Sequence, residues 1–384
     1  MKIAVFDYRV VQTNPAGSCH RALIAALSKE HDFTVFSNQF DNPAPDRVRW
    51  VRVPAIRRPL AALFVTFHLT AMLRYFQVWC QRRTFGFVQS VESNFGFGDV
   101  VYSHFCHKWF LKRHWKSCRT PGVRGFFRWA DHVFHAALEP WVFHRARWIV
   151  VPSTGLAREL THEYPYTASK LQVISNPVDL RSFHRPPEHD PAGIRTRFGI
   201  RPNDTMLLFT ALGHFERKGL PQLLEGLALT RNPLVKLVVV GGSHELIRPF
   251  KQKCYDLGLG TSVHFVGHQE NVRPYLWAAD LFVMPSFYEV FPLTVLQAAA
   301  ASCPIMVTRL NGVEEFLDAK SAVLVEPSAE SISAGLQQFL QLSGQQKADL
   351  VSSARHSVSS YGLDQFVDSW RSFYRTLEDA HQAS

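Results

Sequence analysis

Residues 281–308 read LFVMPSFYEVFPLTVLQAAAASCPIMVT. LFVM is a short apolar run of strand type, and the turn after it holds one carboxylate, Glu289. Pro292 stands where a helix opens, a place that tolerates proline because an N–H there has no intrahelical partner. A helical run follows to Ser302, and PIMVT is strand again. Strand, helix and strand with short joints make a parallel sheet, since parallel neighbours need a crossover between them. In open sheets of this kind ligands sit beyond the carboxyl ends of the strands. There Leu293 and Thr294 would offer early helix N–H groups to an anion, and Glu289 would accept hydrogen bonds from ligand hydroxyls. Two plainer readings stay open: Glu289 complements the helix dipole, and Gln297 is the polar position of an amphipathic helix.

The same grammar runs outward in both directions. Upstream come TMLLFTALG (Thr205 to Gly213), the helix LPQLLEGLAL, VKLVVVGG (Val235 to Gly242), a helix near Ile247 to Leu257, and SVHFVG (Ser262 to Gly267); downstream lies AVLVE (Ala322 to Glu326). Nearer the start, KIAVF and FTVFS flank a helix from Ser18 to Lys29, and RVRWVRVP, FGFVQSV, DVVYSHF and WIVVPS are further strand candidates. Between these halves NPVDLRSFHRPPEHDPAG, rich in Pro and polar residues, reads as a joint. The expected domains are 1–185, 186–362 and a terminal helix, 363–384, that packs back on the first. A chain of 384 residues suits two domains.

Six unpaired-looking cysteines suggest reduced thiols in a reducing compartment. No signal-peptide core is expected after MKIAVFDYRV. The apolar run Leu60 to Leu73 is too short to span a bilayer, which takes about 20 residues. Leu60 to Trp79, flanked by Arg57, Arg58, Arg74, Arg82 and Arg83, reads either as a second surface-binding helix or as a core helix, and its apolar face favours the core. Charge is uneven: residues 1–185 hold 25 Lys+Arg against 12 Asp+Glu, while the rest holds 17 against 20. An anionic partner for the first half is implied. No G-x-G-x-x-G opens the first helix, which argues against a nicotinamide enzyme, and no nucleic-acid readout module is present. With no D-x-D triplet and no His/Cys cluster at ligand spacing, no metal is expected.

GHFERKGL (Gly213 to Leu220) follows a strand and precedes a helix. Gly213 would let the chain turn closely, and Arg217 and Lys218 would stand at the helix mouth, suited to a diphosphate. A solvated helix start reads equally well.

Taken with ALGHFERKG, VVVGG, VHFVGHQENVRPYLWAADLFVMPS and NPVD, the opening stretch resembles the signature of family 4 retaining glycosyltransferases. The first half, through SNFGFGDVVYSHFCHKWF, looks most like lipopolysaccharide-core glucosyltransferases. The resemblance implies an α/β chain of GT-B fold, two doubly wound Rossmann-like domains facing a cleft. It implies transfer from a nucleoside-diphosphate sugar, UDP- or GDP-linked and needing no further cofactor, to a saccharide or lipid-linked acceptor in cell-envelope synthesis. Lys218 and Arg217 would hold the diphosphate, Glu289 the sugar hydroxyls, and His104, preferred over His107, would lie near the reacting carbon. Gly17, with Ala16, matches the family's first glycine loop. Position 297, usually Glu and bound to ribose, is Gln here, and His214 stands where many members carry Arg. These departures support a second reading, a catalytically weakened scaffold protein.

Lys108, Lys112, Arg113, Lys116, Arg119, Arg124 and Arg128 interleave with Trp109, Phe110, Trp115, Phe126, Phe127 and Trp129. This suits an anionic membrane surface, although a helix pair with a buried aromatic face fits as well. The expected location is cytoplasmic, with peripheral attachment to the inner membrane.

Overall fold

The computed structural model describes residues 1–56, 60–81, 85–92 and 95–382. It divides into two compact units. The first comprises Met1–Trp115, Thr120–Pro177 and Leu363–Ser384; the second comprises Lys116–Arg119 and Val178–Gly362. The chain passes between them at Pro177, inside the proline-rich stretch.

The first unit is built on a seven-stranded sheet. Its order is Arg49–Arg52, Asp32–Ser37, Lys2–Phe6, Phe87–Val91, Val100–Tyr102, Trp148–Val151 and Leu171–Val173, every pair parallel. The second unit repeats the plan with six strands: Val263–Gly267, Val235–Val240, Thr205–Thr210, Leu281–Met284, Ile305–Thr308 and Val323–Val325. In both sheets the first strand in sequence lies inside and the order reverses beside it. That is the doubly wound arrangement, with its switch point at the first strand.

The inner strands read as continuous apolar runs because both faces are covered. Successive side chains alternate between two cores. Leu208, Val238 and Phe282 enter one, whereas Leu207, Phe209, Val239 and Val283 enter the other. The Leu363–Gln382 helix belongs to the first unit and packs on the Pro15–Leu27 helix. It buries Phe366, Trp370, Phe373 and Tyr374 on one stripe, and Arg371 pairs with Glu30 at 2.9 Å.

Three sequence expectations need correction. The first helix begins at Pro15, not Ser18, because the Asn14 side chain caps it by accepting from the Gly17 N–H at 3.0 Å. Two helices, Ala329–Gln341 and Gly344–Val358, were not anticipated, although Ser343 and Gln346 form a capping box that the residues spell out. The Leu60–Cys80 helix is only half a core helix. Phe67, Ala71 and Val78 are buried, but Leu69, Leu73, Phe76 and Trp79 face outward. Arg57, Arg58, Arg82 and Arg83, which flank it in sequence, lie outside the described residues. Among the described residues no helix is long and apolar enough to cross a membrane.

Candidate functional site

In the second unit the switch point lies between Thr205–Thr210 and Leu281–Met284. The loops that leave these two strands are bound to each other. The Phe287 N–H donates to the Arg217 carbonyl at 2.9 Å, and Arg217 Nη1 donates to the Tyr288 carbonyl at 3.1 Å. Lys218 Nζ lies 2.6 Å from Glu289 Oε1, and Arg217 Nη1 lies 3.9 Å from the same oxygen. The two expected diphosphate cations and the expected sugar-binding carboxylate therefore form one cluster.

Burial alone would raise the Glu289 pKa, yet Lys218 and then Arg217 hold it below the usual carboxylate range. Burial pulls the Lys218 ammonium down, opposed by Glu289. The result is a fixed carboxylate with two cations in a poorly solvated place, where charge interactions are stronger than in water.

Two glycines make this geometry possible, and neither is Gly213. Gly219 has φ +76°, and a Cβ there would lie 1.9 Å from the Pro285 carbonyl oxygen. Gly312, at φ +75°, lies under the other side of the turn, where a Cβ would sit 2.4 Å from the Val290 carbonyl oxygen. Only glycine combines this backbone conformation with so close an approach. Gly213 is unconstrained: a Cβ there meets nothing nearer than 3.9 Å. The left-handed residue at that turn is His214, φ +56°.

The helix after the Glu289 turn runs Leu293–Ala300, with Pro292 as its N-cap. Leu293 and Thr294 are its first two residues, whose N–H groups have no intrahelical acceptor by the geometry of a helix start. The Thr294 hydroxyl contacts Met284 Sδ at 3.3 Å. Gln297 lies further along this helix and is half-buried.

In the first unit His104 stands two residues beyond the Val100–Tyr102 strand. Its ring lies against Tyr102, centroids 4.1 Å apart. Burial, with His20 nearby, pushes its pKa down to about 3, so the imidazole is neutral. His107 opens the next helix instead. Its Nδ1 lies 3.0 Å from His132 Nδ1, its ring stacks on His135, and burial again holds it well below the usual range. Gly17 sits within the first helix turn, not in a loop. Its N–H is taken by Asn14, and a Cβ would lie 2.1 Å from the Arg9 carbonyl oxygen. Close packing within the chain accounts for this glycine.

A buried chain of hydrogen bonds in the same unit had no motif to announce it. Tyr374 O–H donates to Gln89 Oε1 at 2.9 Å, Gln89 Nε2 lies 2.7 Å from His20 Nε2, and His20 Nδ1 lies 3.1 Å from Asp7 Oδ2. One assignment satisfies every member: the Gln89 amide donates to Nε2, and His20 donates through Nδ1 to Asp7. Asp7 lies just past the Lys2–Phe6 strand, at the switch point of this sheet.

The basic-aromatic stretch divides. Lys108 and Lys112 pair with Glu163 at 3.2 and 2.7 Å, and Phe110 is core. Phe126, Phe127 and Trp129 remain exposed beside Arg124.

Glycosyltransferase Family 4 matches residues 17–182, and Glycosyl transferases group 1 matches residues 194–357. The lipopolysaccharide glucosyltransferase WaaG of Escherichia coli K12 is 30% identical over 177 residues, 44% of this chain and 46% of WaaG. The first curated relatives are matched over 38% to 66% of their own length, so the chain spans about half of such proteins. Sucrose-phosphate synthase from Thermosynechococcus elongatus has a similar structure, with TM-score 0.80, 18% identity, and coverage of 99% of this chain and 100% of that one. HepE of Anabaena, solved with UDP-glucose, gives TM-score 0.76 at 15% identity, covering 98% and 100%. The two sequence matches divide the chain between them, and the structural likeness runs its full length: the chain belongs to the family 4, group 1 glycosyltransferases, and its fold is GT-B.

Proposed function

We propose that the chain is a retaining glycosyltransferase that moves a sugar from a UDP- or GDP-sugar to a saccharide or lipid-linked acceptor of the cell envelope. The observation that carries this reading is the Lys218–Glu289–Arg217 cluster at the switch point of the second sheet. Breaking the anomeric C–O bond places positive charge on the sugar and negative charge on the departing diphosphate. Lys218 and Arg217, with the N–H groups of Leu293 and Thr294, are the groups suited to the diphosphate, and Glu289 is suited to the sugar hydroxyls. Charge aimed in advance at the place where charge develops is the largest contribution in most such sites. Retention follows a front-face route in this reading: the leaving phosphate oxygen takes the acceptor proton as the acceptor oxygen bonds to the anomeric carbon. That route uses no protein nucleophile. His104, held neutral, orients by hydrogen bonding and not by charge. Gln297 accepts from a ribose hydroxyl without the strengthening that a charged acceptor gives.

The protein works in this reading at the surface of an anionic leaflet, where its exposed basic and aromatic side chains meet lipid head groups. Relatives of this chain include a lipopolysaccharide glucosyltransferase and a UDP-Gal:α-D-GlcNAc-diphosphoundecaprenol α-1,3-galactosyltransferase, which supports a saccharide or lipid-linked acceptor.

The test is nucleotide release from UDP- and GDP-sugars, followed with an acceptor by NMR of the new anomeric linkage. Release with retained configuration supports the reading. No release from any donor, together with no effect of Glu289→Ala in cells, overturns it.

A further inference from the structure

The Leu60–Cys80 helix is apolar on two opposite faces. Its inner face buries Phe67, Ala71 and Val78, with Tyr75 partly covered beside them. A half-turn away, Leu69, Leu73, Phe76 and Trp79 keep 51% to 63% of their surface exposed. Val65 and Met72 extend the same stripe. The spacing is that of one helix face, and Phe76 and Trp79 stack upon each other, centroids 5.7 Å apart. Arg74 is the helix's one formally charged residue. A helix at a protein surface ordinarily turns its second face to water with polar side chains. An outward stripe of this kind marks an interaction surface.

Charge identifies what covers it. Residues 47–91, which contain the helix, hold eight arginines and no acidic residue. Residues 100–130 hold seven Lys+Arg and again no acid; Lys108 and Lys112 are paired with Glu163, and the other five add to the positive charge. The stripe is thus set in a sequence background of one sign. Two copies brought together through it would oppose like charges, whereas an anionic lipid surface offers both acyl chains for the stripe and head groups for the arginines. The helix is not among those long and apolar enough to cross a bilayer. A helix of 21 residues lying in the interface plane would place its whole stripe at one depth.

We infer that the Leu60–Cys80 helix is a monolayer-inserting anchor: its Leu69–Leu73–Phe76–Trp79 face enters the acyl boundary of an anionic membrane. The inference rests on the peripheral-membrane part of the proposed function; the outward apolar stripe decides for surface binding at a helix whose sequence favoured the core.

Flotation of the full chain with phosphatidylcholine vesicles, with and without phosphatidylglycerol, tests it at low and high salt. The wild type is expected to bind the anionic vesicles and to keep a measurable part of that binding at high salt, because apolar insertion is not screened. Leu69→Gln/Phe76→Gln is expected to lose at least about tenfold in partitioning, with unchanged thermal melting and nucleotide release. Trp79→Ser gives a second, independent variant. Cys80, exposed at the helix end while the other five cysteines are buried, accepts an environment-sensitive fluorophore, whose emission should shift to the blue on vesicle addition. If the wild type floats and both variants float equally well, the anchor is overturned while the peripheral reading stands. If the wild type floats with neither vesicle, both fall. Concentration-dependent dimerisation of the wild type, lost in the variants and without flotation, would assign the stripe to a second copy and overturn the anchor.

Discussion

Lys218 and Glu289 lie 2.6 Å apart, Nζ to Oε1, on loops that leave two neighbouring strands of one sheet; their side chains are 15% and 8% exposed. Each was expected to contact a different part of a donor, and the structure shows them also contacting each other. The pair holds both side chains in place, which is the preorganisation that the proposed electrostatic role needs.

Removing one partner therefore has two consequences. Lys218→Met should lower turnover by about 100- to 1000-fold, the usual cost of losing one aimed donor. It should also destabilise the second unit, because Glu289 is left as a poorly solvated carboxylate; such losses reach about 3 to 5 kcal/mol when the pair is fully buried. Lys218→Met/Glu289→Leu should be more stable than the sum of the single changes. Steady-state kinetics and urea denaturation measure both.

Gly219→Ala should be far worse than Gly213→Ala. The first adds a Cβ at positive φ against the Pro285 carbonyl, and the second makes only an ordinary contact with Leu246 at 3.9 Å. A loss of more than about 1 kcal/mol is expected at 219, with weakened donor binding because the Lys218 and Glu289 loops must separate. At 213 stability should change by less than about 0.5 kcal/mol. Denaturation midpoints and nucleotide affinity by calorimetry decide it.

His104 carries a pH signature. Its pKa falls from the usual 6.5 to about 3 on folding. Between those values the unfolded chain binds the proton and the folded chain does not, so this residue's contribution to stability falls as pH drops from about 6.5 towards 3. Glu92 and Glu139 act with the opposite sign. Burial raises both to about 7, so their contribution falls as pH rises from about 4.5 to 7. His104→Gln should remove the first slope and leave the second. The wild-type minus variant difference should change by up to about 1.4 kcal/mol per pH unit, read from denaturation at several pH values.

Gln297→Glu should tighten nucleotide binding, since a carboxylate accepts a hydroxyl hydrogen bond more strongly than an amide does. Titration calorimetry with UDP and GDP reads this directly. A loss of affinity would mean that the amide suits the ligand better than an acid.

Tyr374→Phe should cost about 1 to 3 kcal/mol, because it leaves the buried Gln89 carbonyl oxygen without its donor. The change should free the terminal helix from the first unit before the rest unfolds. Hydrogen exchange in Leu363–Gln382 would show this as selective loss of protection.

Much of this protein was legible from its residues alone. The alternation of short apolar strands with helices follows from local side-chain period, and period does not depend on what packs against it. LFVM, VKLVVV and TMLLFT became inner strands for that reason, and Glu289 fell at the carboxyl edge of the sheet because it lies between the end of one strand and the start of the next helix. What tertiary structure alone decided concerns residues far apart in sequence. Lys218 meets Glu289, Gly219 lies under Pro285, and Tyr374 reaches Gln89 because neighbouring strands and a returning helix bring their loops and faces together. Neither partner carries a local sign of the other. The Leu60–Cys80 helix shows the same limit: apolar composition marks side chains that avoid water, but only the packed fold shows which face the protein covers and which it leaves for something else.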